Sequence, residues 1–144
     1  MVNEIQAVAA ELGGEPILGR QLRTQADLQA AIREGFPQKA VSGVMHGAGL
    51  TLKELSGSLD LSPRSLQRRR GGRLARYESD RLYRLARILA LARHYLGDGE
   101  TATRWLKHPN RALGGARPLD LIDTEPGARL VENVIGRIAY GGVS

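Results

Sequence analysis

Arg64, Ser65, Gln67 and Arg68 fall within one short stretch of the chain, and each carries a donor suited to phosphate oxygens or base edges. An Arg guanidinium can pair bidentately with guanine and a Gln amide with adenine, so the set suits sequence readout on DNA. Arg69, Arg70 and Arg73 follow at once. Charge that dense suits phosphate contacts, which position a protein without reading sequence. The run from Thr51 to Arg73, TLKELSGSLDLSPRSLQRRRGGR, has the spacing of a scaffold for these side chains. With Leu52 as the first position of a helix-turn-helix, Leu55, Leu59, Leu61 and Leu66 fall where two short helices bury side chains against each other. Ser56 is small where the two cross. Ser62 offers a capping hydroxyl, and Pro63 brings a preset φ and no amide hydrogen to lose. Two positions depart from the usual pattern: Asp60 stands where the turn commonly has Gly, and Arg69 where an apolar residue is common.

The formal charge of +6 is unevenly placed. Residues 1–50 carry 4 basic and 5 acidic side chains, residues 51–97 carry 11 and 4, and residues 98–144 carry 6 of each. The excess belongs to the helix-turn-helix segment and the helix after it, as a DNA-contacting surface requires; the plain alternative is a solvated Arg-rich face. Other chemistries find less support. His46, His94 and His108 lie on separate segments with no i, i+4 pair, and the chain has no Cys, so no metal site is expected. No activated nucleophile or paired carboxylates are evident, so neither catalysis nor a cofactor is expected. Gly114-Gly115-Ala116-Arg117 lacks the strand and the Lys of a phosphate cradle, and reads as a loop that needs positive φ. Absence of Cys also excludes disulfides and fits a reducing cytosol. No apolar run approaches the roughly 20 residues that cross a bilayer, and MVNEIQAVAAELGGEP lacks the basic start of a signal peptide. The expected location is cytoplasmic, with no membrane partner.

The elements read as all α. Residues 1–22 have weak periodicity and a turn at Gly13-Gly14-Glu15-Pro16, which predicts a partly ordered tail. Thr24 caps a helix to about Glu34, with Leu28 and Ile32 on one face. Gly35-Phe36-Pro37 separates it from a helix to about His46 that presents Ala40, Val41 and Val44. Thr51 caps the next. A long helix runs from about Glu78 to Leu96, with Leu82, Leu85, Ala86, Leu89, Ala92 and Leu96 in one stripe and Arg84, Arg87 and His94 away from it. Gly97-Asp98-Gly99 stops it. A short helix from about Glu100 to Leu106 holds Trp105, which reads as core packed against the long and last helices. Pro118 opens a one-turn helix. Thr124 caps a last helix with Val131, Val134, Ile135 and Ile138 on one face, closed by Gly141-Gly142.

From Gly35 onward the chain resembles the Xre-type antitoxins that carry a toxin-binding domain of the MbcA/ParS kind. The resemblance rests on SPRSLQRR at 62–69, ESDRLYRLA at 78–86, ATRWL at 102–106, PNRALGGARPLDL at 109–121, and GARLV and IGRIAYG at 127–131 and 135–141. It implies a type II antitoxin encoded beside a RES-domain toxin that degrades NAD⁺. Such an antitoxin neutralises its toxin and represses the shared operon. It also implies that the C-terminal end enters the toxin's active-site cleft; here that end is Arg137, Tyr140, Gly141, Gly142, Val143 and Ser144. The family often has an acidic residue before the Tyr-Gly pair, where this chain has Ala139.

Together these readings give an N-terminal tail (1–22), a helix-turn-helix domain (23–75), a linking and dimerising helix (76–98) and a toxin-binding domain (99–144). Ser62, Arg64, Ser65, Gln67, Arg68, Arg69, Arg70 and Arg73 are the candidate DNA contacts. Palindromic operators call for two-fold proteins, so the expected state is a homodimer that assembles with the toxin into a larger complex. The alternative is a stand-alone helix-turn-helix repressor whose C-terminal domain only dimerises.

Overall fold

A 21-residue helix from Arg76 to Leu96 is the axis around which the rest of the chain is wrapped. The structure, a computed structural model, describes residues 4–67 and 72–141. In chain order the helices are α1 (Glu4–Glu11), α2 (Glu15–Leu18), α3 (Gln25–Glu34), α4 (Lys39–Ala48), α5 (Leu52–Leu59), α6 (Pro63–Leu66), α7 (Arg76–Leu96), α8 (Glu100–Lys107) and α9 (Glu125–Ala139). Single 3₁₀ turns, Arg111–Leu113 and Pro118–Leu121, lie between α8 and α9. Among the described residues there is no strand, only an isolated antiparallel bridge between Pro37 and Arg73.

The expected stripe on α7 is buried from Leu82 to Ala92, with Leu96 at its partly exposed end. Ile88 and Ala90 are buried as well, because α1, α3, α4, α5, α8 and α9 all pack on this helix. A helix covered from several sides buries more than one stripe. One hydrophobic cluster therefore runs from Val8 through Leu55 and Leu85 to Ile135.

The N-terminal segment corrects the sequence reading. Residues 4–22 are not a tail but two helices and the turns that follow them: Val8 and Leu18 on the helices, and Leu12 and Leu22 just after them, enter the core. Gly13 and Gly14, at φ +104° and +73°, make the turn between them. A Cβ on Gly13 would lie 2.5 Å from the Ile17 side chain. Helices of eight and four residues carry too few apolar positions for a period to show, and packing holds them. Arg93 fastens the segment: its Nε donates to Glu11 Oε2 at 2.7 Å, and its Nη2 donates to the Gly47 carbonyl at 2.8 Å.

The caps follow the sequence closely. Thr24 and Asp27 form a reciprocal capping box on α3, and Thr51 and Glu54 form one on α5. Lys107 Nζ sits 3.0 Å from Glu54 Oε2 and so ties α8 to the start of α5.

Candidate functional site

Leu55, Leu59, Leu61 and Leu66 are all buried, as the helix-turn-helix spacing requires. The turn between α5 and α6 forms with Asp60 in the left-handed region at φ +53°. Asp tolerates that conformation better than most residues with a Cβ. Arg81 on α7 supports it from below, its Nη1 donating to the Asp60 carbonyl at 2.8 Å and to the Leu59 carbonyl at 3.3 Å. Ser56 Oγ donates to the Leu61 carbonyl across the turn. Ser62 caps α6, its Oγ accepting from the Ser65 amide at 3.1 Å and bonding the Ser65 hydroxyl at 3.0 Å.

The described part of the second helix is a single turn, Pro63–Leu66, with Gln67 as its C-cap. Arg68, Arg69 and Arg70 lie outside the described residues. Arg64 and Gln67 are exposed and make no side-chain hydrogen bond or ion pair with another described residue. Among the described residues their donors have no partner. Ser65 is half-buried within the cap, so its hydroxyl shapes the helix start. Arg73 has work inside the fold: its Nη1 donates to the Gly35 carbonyl at 2.8 Å, and its Nη2 stands 3.7 Å from Glu34. Leu74 N donates to Phe36 O and Gln38 N to Gly72 O, pinning the exit of the basic run beside the start of α4. Gly35 permits this approach, since a Cβ there would sit 2.1 Å from the Leu74 carbonyl oxygen. Lys53 on α5 and Arg76 on α7 are exposed with no ion pair among the described residues. Sequence reasoning missed both; each stands in the first turn of a helix that borders the basic run.

The arginines of α7 correct the charge argument. Arg84, expected to point away from the packed stripe, donates to the Ile122 carbonyl at 3.1 Å and stands 3.9 Å from Glu125. Arg87 Nη2 bonds Glu125 and, at 2.9 Å, Glu132. Burial works against the charge on Arg87, but the Glu125 hydrogen bond and the field of Glu132 outweigh it and raise its pKa. Burial likewise disfavours the Glu125 carboxylate, and Arg87 and Arg84 overcome it and hold that carboxyl below its usual range. With Arg81 and Arg93 also engaged, four α7 arginines serve the fold. The basic surface is thus narrower than the segment's charge suggests.

Arg87 and Arg84 seat α9. Gly127 in its first turn lets the helix lie against the preceding 3₁₀ turn, for a Cβ there would be 1.9 Å from the Leu121 carbonyl oxygen. The Gly114-Gly115 loop has the expected positive φ, +68° and +87°. It closes on Asn110, whose carbonyl accepts from Gly115 N at 2.9 Å. Trp105 is only partly buried, contrary to expectation; Ala102, Thr103 and Leu106 are the α8 residues that fill the core. The α8 face turned to the core is narrow, and the ring lies at its margin.

At the end of the described residues, Arg137 is exposed with no ion pair to another described residue, and Tyr140 is 81% exposed. The Tyr140 hydroxyl meets the Tyr95 hydroxyl at 3.2 Å, and the two rings are 5.9 Å apart. Gly141 has φ +76°; Gly142, Val143 and Ser144 lie outside the described residues. Beside Tyr140 runs a groove between α9 and the Arg111–Leu113 turn, lined by Leu113, Leu130, Asn133, Gly136 and Arg137. Leu130 is 54% exposed there. It was missed in the sequence, where its signal is an apolar residue at the edge of the buried stripe, one turn before Val134.

Residues 27–87 match the model of the antitoxin Xre-like helix-turn-helix domain, and residues 91–141 that of the antitoxin Xre/MbcA/ParS C-terminal toxin-binding domain. Antitoxin Xre of Photorhabdus laumondii is 33% identical over 121 residues, covering 81% of this chain and 81% of that protein. The mycobacterial cidal antitoxin MbcA of Mycobacterium tuberculosis is 34% identical over 84 residues, 57% of this chain and 74% of that one. A chain from the crystal structure of the M. tuberculosis MbcT-MbcA toxin-antitoxin complex superposes with a TM-score of 0.54 at 28% identity, covering 74% of this chain and 96% of its own. No helix among the described residues is long and apolar enough to cross a membrane. Matched in both halves, and aligned with an Xre antitoxin over 81% of its length, the chain belongs to the Xre/MbcA/ParS family of antitoxins.

Proposed function

We propose that this chain is a type II antitoxin that silences a RES-domain, NAD⁺-degrading toxin and, as a homodimer, represses its own operon. The observation that carries the reading is the state of the last helix. α9 is clamped to α7 by Arg84 and Arg87 and ends on an exposed Tyr140 with Arg137 beside it. A rigid helix with a polar aromatic tip can insert that tip into a cleft at little entropic cost. Arg137, Tyr140 and Gly141, with Gly142, Val143 and Ser144, supply the plug, and the groove beside Leu130 supplies apolar contact. At the other end, Arg64 and Gln67 are assigned to base edges, and Arg68, Arg69 and Arg70, by residue type alone, to phosphates.

Two measurements test this. Co-expressing the neighbouring RES-type gene with and without this chain should show growth arrest and NAD⁺ loss only in its absence, with both proteins co-purifying. No capture and no protection would leave the repressor alone. Anisotropy titration on the upstream DNA should show binding that weakens steeply with salt. Binding insensitive to salt would reject the DNA surface.

A further inference from the structure

The end of α9 leans on one side chain of the long helix. Arg84 and Arg87 fasten α9 through Glu125 and Glu132, at its start and middle. Val134 and Ile135 are its last buried residues. Beyond Glu132, among the described residues, the sole side-chain hydrogen bond joining α9 to the body is the 3.2 Å contact of the Tyr140 and Tyr95 hydroxyls. The two ring centroids are 5.9 Å apart at a tilt of 54°, within the range of aromatic pairs. Tyr95 is itself braced. The His94 ring meets it edge-on at 4.6 Å, and Arg93, two residues earlier on α7, is bonded to Glu11 of α1 and to the Gly47 carbonyl of α4.

We propose that Tyr95 is a positioning residue for the plug: it holds Tyr140 in one aim before the toxin arrives and keeps contact with it after docking. This inference rests on the plug reading given above. The division of exposure supports it. Tyr140 touches Tyr95 and is still 81% exposed, so a cleft can enclose most of the ring with the contact unbroken. Without Tyr95, a side chain past the last buried residue of its helix samples several rotamers. Only the fraction aimed at the cleft would then bind, and the affinity falls in proportion to that fraction. A hydrogen bond between two hydroxyls in reach of water adds little to folding. Its value lies in aim.

The test uses the full-length chain and the purified product of the neighbouring RES-type gene, with affinity read by biolayer interferometry. In the free wild type, nuclear Overhauser contacts should join the Tyr95 and Tyr140 rings; their absence would overturn the proposal. Tyr95→Ala should weaken toxin binding by about 3- to 10-fold, the cost of ordering one side chain. Tyr95→Phe keeps the ring and loses the hydroxyl, so it should fall between Tyr95→Ala and the wild type. Tyr140→Ala should weaken binding further still, and adding Tyr95→Ala to it should change nothing more. Neither tyrosine belongs to the core, so circular dichroism and melting temperature should match the wild type throughout; if Tyr95→Ala fails to fold, Tyr95→Phe carries the same comparison. Wild-type affinity in the Tyr95 variants would overturn the proposal. So would an undiminished loss from Tyr95→Ala in the Tyr140→Ala background, which would make Tyr95 a direct toxin contact. Unchanged affinity in Tyr140→Ala would reject the plug reading itself, and the positioning role with it, while the ring contact in the free chain would still be seen.

Discussion

Arg87 lies in the most basic third of the chain, yet its guanidinium faces inward. It is 16% exposed and bridges Glu125 and Glu132, and its Nε is buried with no hydrogen-bond partner. Removing it leaves two carboxylates facing each other at the α7–α9 seam. Because both are partly in water, Arg87→Ala should cost about 1–3 kcal/mol, below the value for a fully buried pair. Urea unfolding followed by circular dichroism would read it, and an unchanged midpoint would remove Arg87 from the clamp. Trp105 gives the opposite lesson. Its side chain is at the margin of the core, so Trp105→Ala should cost about 1–3 kcal/mol rather than the roughly 3–5 of a fully enclosed aromatic. Its fluorescence should be partly accessible to iodide; complete protection would show the ring to be enclosed.

At the scale of elements, the caps and stops were the most legible part of the sequence. Thr24, Thr51, Ser62 and Thr124 all cap as read, because a side-chain oxygen accepting an orphan amide is a local event with a local signature. Less legible was anything decided by a partner far along the chain. The two N-terminal helices are held by α7, and Arg84 and Arg87 are spent on residues nearly forty positions away, which no periodicity records. The candidate site divides the same way: Arg64 and Gln67 are picked out by residue type and, among the described residues, stay unpaired, whereas the fold role of Arg73 needed the Gly35 carbonyl beside it. The cap on α5 carries a pH prediction. The Thr51 amide, with Lys107, holds the Glu54 carboxyl below its usual range despite some burial. That stabilisation is complete above the ordinary carboxylate pKa and is lost as pH falls through the lower folded value. Glu54→Gln should therefore cost roughly 0.5–1 kcal/mol at pH 7, and the gap to wild type should narrow below about pH 4. Urea midpoints at both pH values measure it, and a gap independent of pH would assign the effect to packing. For α9, Gly127→Ala should displace the helix from the Leu121 carbonyl and lower the melting temperature by several degrees; a wild-type melting curve would show that the approach is not needed.

For the whole molecule, the proposed function assigns separable tasks to the two ends of one core, with α7 packed against both. The Tyr140–Ser144 segment follows α9 and sends no described side chain into the core; Tyr140 touches the body through the Tyr95 hydroxyl and ring. Its deletion should therefore leave the melting temperature nearly unchanged. DNA binding should also persist, because Arg64 on α6 and Gln67 at its C-cap stand in the other half of the chain. Neutralisation should fail nonetheless. On the proposed reading, the groove at Leu130 still meets the toxin, but no polar tip fills the NAD⁺ cleft proposed for it. The truncated chain should then pull down the toxin weakly while growth and cellular NAD⁺ collapse as if no antitoxin were present. Arg64→Ala is the mirror variant: it should protect fully and lose about 1–3 kcal/mol of sequence preference on the operator. Growth, NAD⁺ and anisotropy measured on both variants separate the two tasks. Full protection by the truncation would reject the plug, and loss of protection by Arg64→Ala would show that the two ends are not independent.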